Sequence, residues 1–160
     1  MRRWYSEEVE MTYPDIRLLV PHGGPMVLLD RVIAVDQESL CAEVTIRPDS
    51  MFGSAAGVGA WVGIEYMAQA IAAHAGYEAY QRGEPVKIGF LLGSRRYSCA
   101  KSMFAVGSVL RVHVVRLLMA ENGLGSFECR IEDEEGVAAT ATVSVFLPAN
   151  AEEFLNGSVE

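Results

Sequence analysis

Residues 58–75 read VGAWVGIEYMAQAIAAHA, and this run decides how the rest of the chain is to be read. It is long and apolar enough for a helix. Gly59, Gly63, Glu65, Gln69 and His74 interrupt it, and a carboxylate near the middle of a membrane span is costly in lipid. A helix buried in a protein core is the better account. The pattern places it over about 59–81, where Gly83-Glu84-Pro85 stops it.

Before the helix, residues 14–20 suit one or two helical turns, ended by Pro21 and the breaker-rich His22-Gly23-Gly24-Pro25. Residues 28–36 and 39–47 read as strands joined by a turn at Asp36-Gln37-Glu38, and a loop of small residues over 53–57 leads into the helix. After it, 87–92 lacks alternation, as expected of a strand buried on both faces. Residues 108–118 alternate and then change phase near Val115, which predicts a bulge. Phe127, Cys129 and Ile131, and then Val137, Ala139, Ala141, Val143, Val145 and Leu147, mark the inward faces of two more strands. One apolar helix among about six strands is an α+β chain that buries the helix only if the sheet curls round it. The domain is expected over 14–148, with tails at 1–13 and 149–160.

Composition narrows the function class. The chain has 160 residues, 51% of them hydrophobic, which is enough for one domain with a real core. A net charge of −8 argues against a sequence-independent nucleic-acid binder. The acidity sits in residues 121–160, with nine acids against Arg130 alone. Five of the 13 bases (Arg82, Lys87, Arg95, Arg96 and Lys101) gather within 82–101 beside a single acid, Glu84. Cys41, Cys99 and Cys129 are odd in number and form no C-x-x-C, so buried thiols in a reducing, cytoplasmic setting are expected. No apolar leader is legible at the N-terminus. No His/Cys/Asp/Glu pair has metal-ligand spacing, and no nucleotide or phosphate loop is present, so neither metal nor cofactor is expected.

Glu65 stands out chemically. Its helical neighbours are Trp61, Val62, Ala68 and Gln69, and desolvation there would suit a general acid or base, with Gln69 at i+4 able to orient it. A structural Glu at the helix end is the plainer alternative. His74 and His113 fit structural roles, whereas His22 sits in a loop, where working residues concentrate.

Three stretches carry a resemblance. Residues 21–32, PHGGPMVLLDRV, resemble the PHRxPxxLxDRV opening of the beta-hydroxyacyl-ACP dehydratases of the hot-dog superfamily. GIEYMAQA at 63–70 resembles their ExxAQ helix motif. SRRY at 94–97, followed by VGSVL at 106–110, is similar to their xxRF…PVxPGDxL stretch. The matches keep the family's order over about 16–148, and are most like the divergent branch of aryl-polyene and related pigment clusters.

The resemblance implies a helix wrapped by a curved antiparallel sheet, and a homodimer or higher hot-dog oligomer. It implies an acyl-thioester substrate on acyl carrier protein or coenzyme A, with neither nucleic acid nor membrane as partner. The implied reaction dehydrates a beta-hydroxyacyl thioester to the trans-2-enoyl form in fatty-acid or polyene-type biosynthesis. Glu65 falls on the family's acidic position, and Ala60 on the position whose N–H polarises the thioester carbonyl. Gly59, Trp61, Gln69 and Phe90 are expected at the substrate, and Arg95, Arg96 and Lys101 at the carrier. The family's catalytic His, from a GHFPG-like motif, has no counterpart in Phe52-Gly53-Ser54-Ala55-Ala56-Gly57. Three readings follow. His22 substitutes for it, the chain is a non-catalytic acyl-binding or partner subunit, or Glu65 activates water in a thioesterase.

Overall fold

The structure, a computed structural model, describes residues 12–86 and 88–148. Its strands are β1 (Arg31–Val35), β2 (Ser39–Thr45), β3 (Gly57–Gly59), β4 (Phe90–Cys99), β5 (Met103–Ala105), β6 (Val109–Met119), β7 (Leu124–Asp133) and β8 (Gly136–Phe146). The helix α1 (Gly63–Gln81) follows a 3-10 turn at Ala60–Val62. Six strands form one antiparallel sheet in the order β1-β2-β6-β7-β8-β4, and β3 pairs with β5.

The alternation legible in the sequence sets the sheet's two faces. Leu40, Ala42 and Val44 of β2, Leu110, Val112 and Val114 of β6, and Phe127, Cys129 and Ile131 of β7 are buried, with Ala139, Ala141, Val143 and Val145 of β8 beside them. They close on Tyr66, Met67, Ala70, Ile71 and Ala73 of α1 in one core. Each large apolar side chain so buried contributes about 1.5–3 kcal/mol. The opposite face carries charge across the ladder. Arg31 is opposite Glu43, Glu43 opposite Arg111 and Arg111 opposite Glu132. Cross-strand pairs of opposite sign make this row compatible with water on one face. The expected bulge in β6 lies between Arg116 and Leu118, slightly beyond Val115.

Two expectations are corrected. The helix proper starts at Gly63, because residues 57–59 pair as β3 with β5 and 60–62 wind as a 3-10 turn. The strand expected over 87–92 begins at Phe90 and is an edge strand, paired only with β8 among the described residues. Its apolar run is not buried on both faces, since Leu91 and Leu92 are exposed, the latter at 56%. The expected tails fall mostly outside the described residues, though Tyr13 packs edge-on against Tyr77 of α1.

Candidate active site

The loop that carries His22 is tied to α1 at two places. Upstream, the 3-10 turn Ile16–Leu18 is capped by Asp15, which accepts from the Arg17 N–H at 2.9 Å, and Ile16, Leu19 and Val20 are buried. Downstream, Gln69 is fully buried and its carboxamide is fully used. Its oxygen accepts from the Leu28 N–H at 2.9 Å, and its nitrogen donates to the Met26 carbonyl at 2.7 Å and to Glu65 Oε2 at 3.2 Å. One side chain thus fixes both the turn after His22 and the carboxylate one helical turn back.

This arrangement brings His22 Nε2 to 3.6 Å from Glu65 Oε2 within a single chain. The separation exceeds a hydrogen bond and suits two groups that reach toward one substrate. Both side chains are half-buried, and the Glu65 side chain stays 34% exposed, so the carboxylate is at the mouth of a cavity rather than sealed in apolar surroundings. His22 Nδ1 is buried without a hydrogen-bond partner among the described residues, so no carboxylate or carbonyl orients the ring from behind. The cavity holds about 110 Å³ and is walled by Ala68, Ile71, Ala72, Phe90, Val145 and Leu147 besides the pair. The small side chains Ala68 and Ala72, on the helix face one and two turns beyond Glu65, keep it open.

Of the residues expected at the substrate, Gln69 and Phe90 take part in this arrangement, whereas Gly59, Ala60 and Trp61 are not on the cavity wall. Trp61 is 66% exposed and packs edge-to-face on Phe52. The Ala60 N–H donates to the Ser102 carbonyl at 3.0 Å, so it is already engaged. Arg95 and Arg96 are exposed on β4, but Lys101 is bound to Asp133 and Glu135, which neutralise it as a docking cation. Lys87 lies outside the described residues. The cavity-lining Ile71, Val145 and Leu147 were missed, because in the sequence they carry only a core signal.

The other two histidines have structural partners. His74 is buried and its Nε2 lies 3.1 Å from the Asp36 carbonyl, while His113 Nε2 lies 3.0 Å from Glu132 on the outer face. Asp30 accepts from the Thr45 N–H at 2.7 Å and from Arg47 at 3.1 Å, beside a second cavity of about 420 Å³ that Tyr66 also lines. Burial pushes the Tyr66 hydroxyl up to about 12. Burial likewise pushes the Cys41 and Cys129 thiols up to about 11 and about 12, which disfavours the nucleophilic thiolate. All three cysteines are free, and no cluster of His, Cys, Asp and Glu among the described residues could hold a metal. No helix among them is long and apolar enough to cross a membrane.

Gln69→Leu tests the tie directly. It strands the Leu28 N–H and the Met26 carbonyl, at a cost of about 2 kcal/mol or more. The expected result is a lowered denaturation midpoint together with reduced turnover, because the His22 loop loses its anchor. An unchanged midpoint would show that the loop holds without Gln69.

Comparison with known proteins places these features in a family. A model of the ApeP-like family, described as ApeP dehydratase, matches residues 14–156. A chain of the dehydratase heterocomplex ApeI:P from Xenorhabdus doucetiae is 32% identical, with a TM-score of 0.80, over 91% of this chain and 99% of that one. A hypothetical thioesterase with coenzyme A from Streptococcus pneumoniae TIGR4 is 12% identical, with a TM-score of 0.57, over 73% of this chain and 84% of its own. Cj0977 from Campylobacter jejuni, also 12% identical with a TM-score of 0.57, covers 83% of this chain and 85% of its own. These last two show a shared hot-dog fold. No curated protein sequence matches the chain.

Proposed function

Because the chain belongs to the ApeP-like dehydratase family, we propose that it dehydrates beta-hydroxyacyl thioesters to trans-2-enoyl thioesters during polyene-type chain growth, with His22 and Glu65 as the acid–base pair. The observation that carries this reading is the 3.6 Å approach of His22 Nε2 to Glu65 Oε2 at the mouth of an apolar cavity. One group of the pair removes the alpha proton and the other protonates the beta hydroxyl. The C–H and C–O bonds break as the double bond forms, and water leaves. The cavity walls take the start of the acyl chain. An exposed Arg95–Arg96 pair on β4, with no ion pair among the described residues, favours docking of an acidic acyl carrier protein, whereas Lys101, expected beside them, is paired with Asp133 and Glu135. Three free thiols fit a reducing cytoplasm.

We assign the working form to a hot-dog oligomer. The exposed Leu91 and Leu92 on the edge strand β4 support it, as does the heterocomplex formed by the 32%-identical relative. A second hot-dog chain is the partner that would cover this edge.

The test is a product assay. The purified chain, alone and with a co-purifying hot-dog partner, is given a 3-hydroxyacyl thioester, and the products are resolved by mass spectrometry. The expected product is the enoyl thioester, lighter by one water. Free acid would make the chain a thioesterase, and turnover that persists when this chain is omitted would make it a non-catalytic subunit.

A further inference from the structure

We propose that Leu147 is the partition that sets how long an acyl chain the site accepts, holding the native protein to substrates with about four carbons beyond the thioester carbonyl. The inference rests on the thioester reading above and adds its chain-length selectivity.

Along α1, Ala68 and Ala72 build one wall of the cavity that holds His22 and Glu65. Helical spacing continues that face to Ala75, which lines a further cavity of about 220 Å³, against about 110 Å³ for the first. The two cavities are therefore consecutive along one stripe of the helix. Among the described residues, Leu147 alone lines both. It follows the last residue of β8 and stands where the first cavity ends and the larger one begins.

The leucine is seated on both sides by glycine. Its N–H donates to the Gly123 carbonyl at 2.8 Å, and a Cβ on Gly123 would lie 2.7 Å from its carbonyl oxygen. Gly123 has φ 98°, so the turn between β6 and β7 approaches this closely only without a side chain. At the other end of the residue, a Cβ on Gly89 would meet Leu147 Cδ2 at 2.3 Å, and Gly89 is itself on the wall of the first cavity. Leu147 also packs on the core. A side chain held in this way resists displacement by an incoming chain.

Volume sets the cut-off. At about 30 Å³ for a group of water or methylene size, the first cavity of about 110 Å³ has room for about four. Each methylene that leaves water there improves affinity about fourfold, and a fifth carbon meets Leu147. Past the partition, Met119 and Phe127 offer apolar surface that a longer chain would cover, with the Glu78–Arg116 ion pair (3.7 Å) on the same wall. The native protein thus works on the early, short members of a growing acyl series.

The probes are pantetheine analogues carrying acetyl, pentanoyl or nonanoyl groups, with an amide in place of the thioester so that nothing turns over. They are titrated calorimetrically into the full chain, with its hot-dog partner where assembly needs one. Native affinity is expected to rise about tenfold or more from acetyl to pentanoyl, and no more than about threefold from pentanoyl to nonanoyl. Leu147→Ala, which opens one cavity into the next, is expected to raise the nonanoyl-to-pentanoyl ratio about tenfold or more. Leu147→Phe, whose ring occupies part of the first cavity, is expected to lower the pentanoyl-to-acetyl ratio about fivefold, and it decides the matter if the alanine variant unfolds. Values of kcat/KM on 3-hydroxyacyl thioesters of the same lengths are expected to follow the affinities. A native affinity that climbs steadily to nonanoyl, or a cut-off unmoved in whichever variant folds, overturns the proposal. A cut-off that moves while no length yields enoyl product would sink the dehydratase reading and leave the partition standing.

Discussion

Glu65→Gln is expected to lower kcat by about 10²- to 10⁴-fold while the fold and assembly survive, because a positioned acid or base supplies an effect of that size. The corresponding barrier increase is about 3–5 kcal/mol. The amide is nearly isosteric and its oxygen can still accept from the Gln69 nitrogen, which now donates to Glu65 Oε2 at 3.2 Å. The substitution therefore removes proton transfer and leaves the loop anchor in place. His22→Ala is expected to fall as far, and the double variant no further, because two halves of one proton-transfer device fail as a unit. The measurement is enoyl product per active site under saturating substrate, with circular dichroism as the control on folding. Native-like turnover in Glu65→Gln would remove the carboxylate from the mechanism.

The largest structural effect is expected at Gly76. There α1 passes so close to the N-terminal segment that an added Cβ would lie 1.7 Å from the Leu19 carbonyl oxygen and 2.6 Å from its carbon. Both are backbone atoms, so no rotamer change relieves the contact and the whole segment must shift. Alanine favours a helix over glycine by about 1 kcal/mol. Overpacking against immovable atoms costs more, and the upper end of its usual range is about 3 kcal/mol. For a chain of this size the net loss of about 2 kcal/mol predicts a melting temperature roughly 4–8 °C lower. The damage should also reach the site, because Leu19 precedes His22 by one turn of chain and a displaced segment carries the imidazole away from Glu65. Gly93→Ala is the control, since a Cβ there meets nothing within 4 Å. Equal melting temperatures for the two variants would show that the crossing is looser than its distances imply.

The legible part of the fold was the part governed by near neighbours. The alternation of Leu110, Val112 and Val114, and of Phe127, Cys129 and Ile131, put the right side chains inward before any partner strand was known. The apolar run at 58–75 identified the central helix. The run of apolar residues after Pro85 was misread as doubly buried because the same composition serves an edge strand with exposed leucines. At the site, Glu65 and Gln69 were readable together because helical spacing of four places side chains on one face. Nothing local distinguished a free lysine from one held by Asp133 and Glu135, so Lys101 was expected at the carrier.

What neighbouring residues dictate here is the helix, the facing of each strand and the one carboxylate set among small and apolar side chains, since periodicity is settled by steric and solvation preferences a few positions apart. Folding in three dimensions brings His22 beside that carboxylate, spends the Ala60 N–H on Ser102 and seats Leu147 against Gly89 between two cavities. Each of those contacts joins segments remote along the chain. Their geometry follows from sheet register, a bulge and two close crossings, which are properties of the closed structure and leave no periodic trace in any one segment.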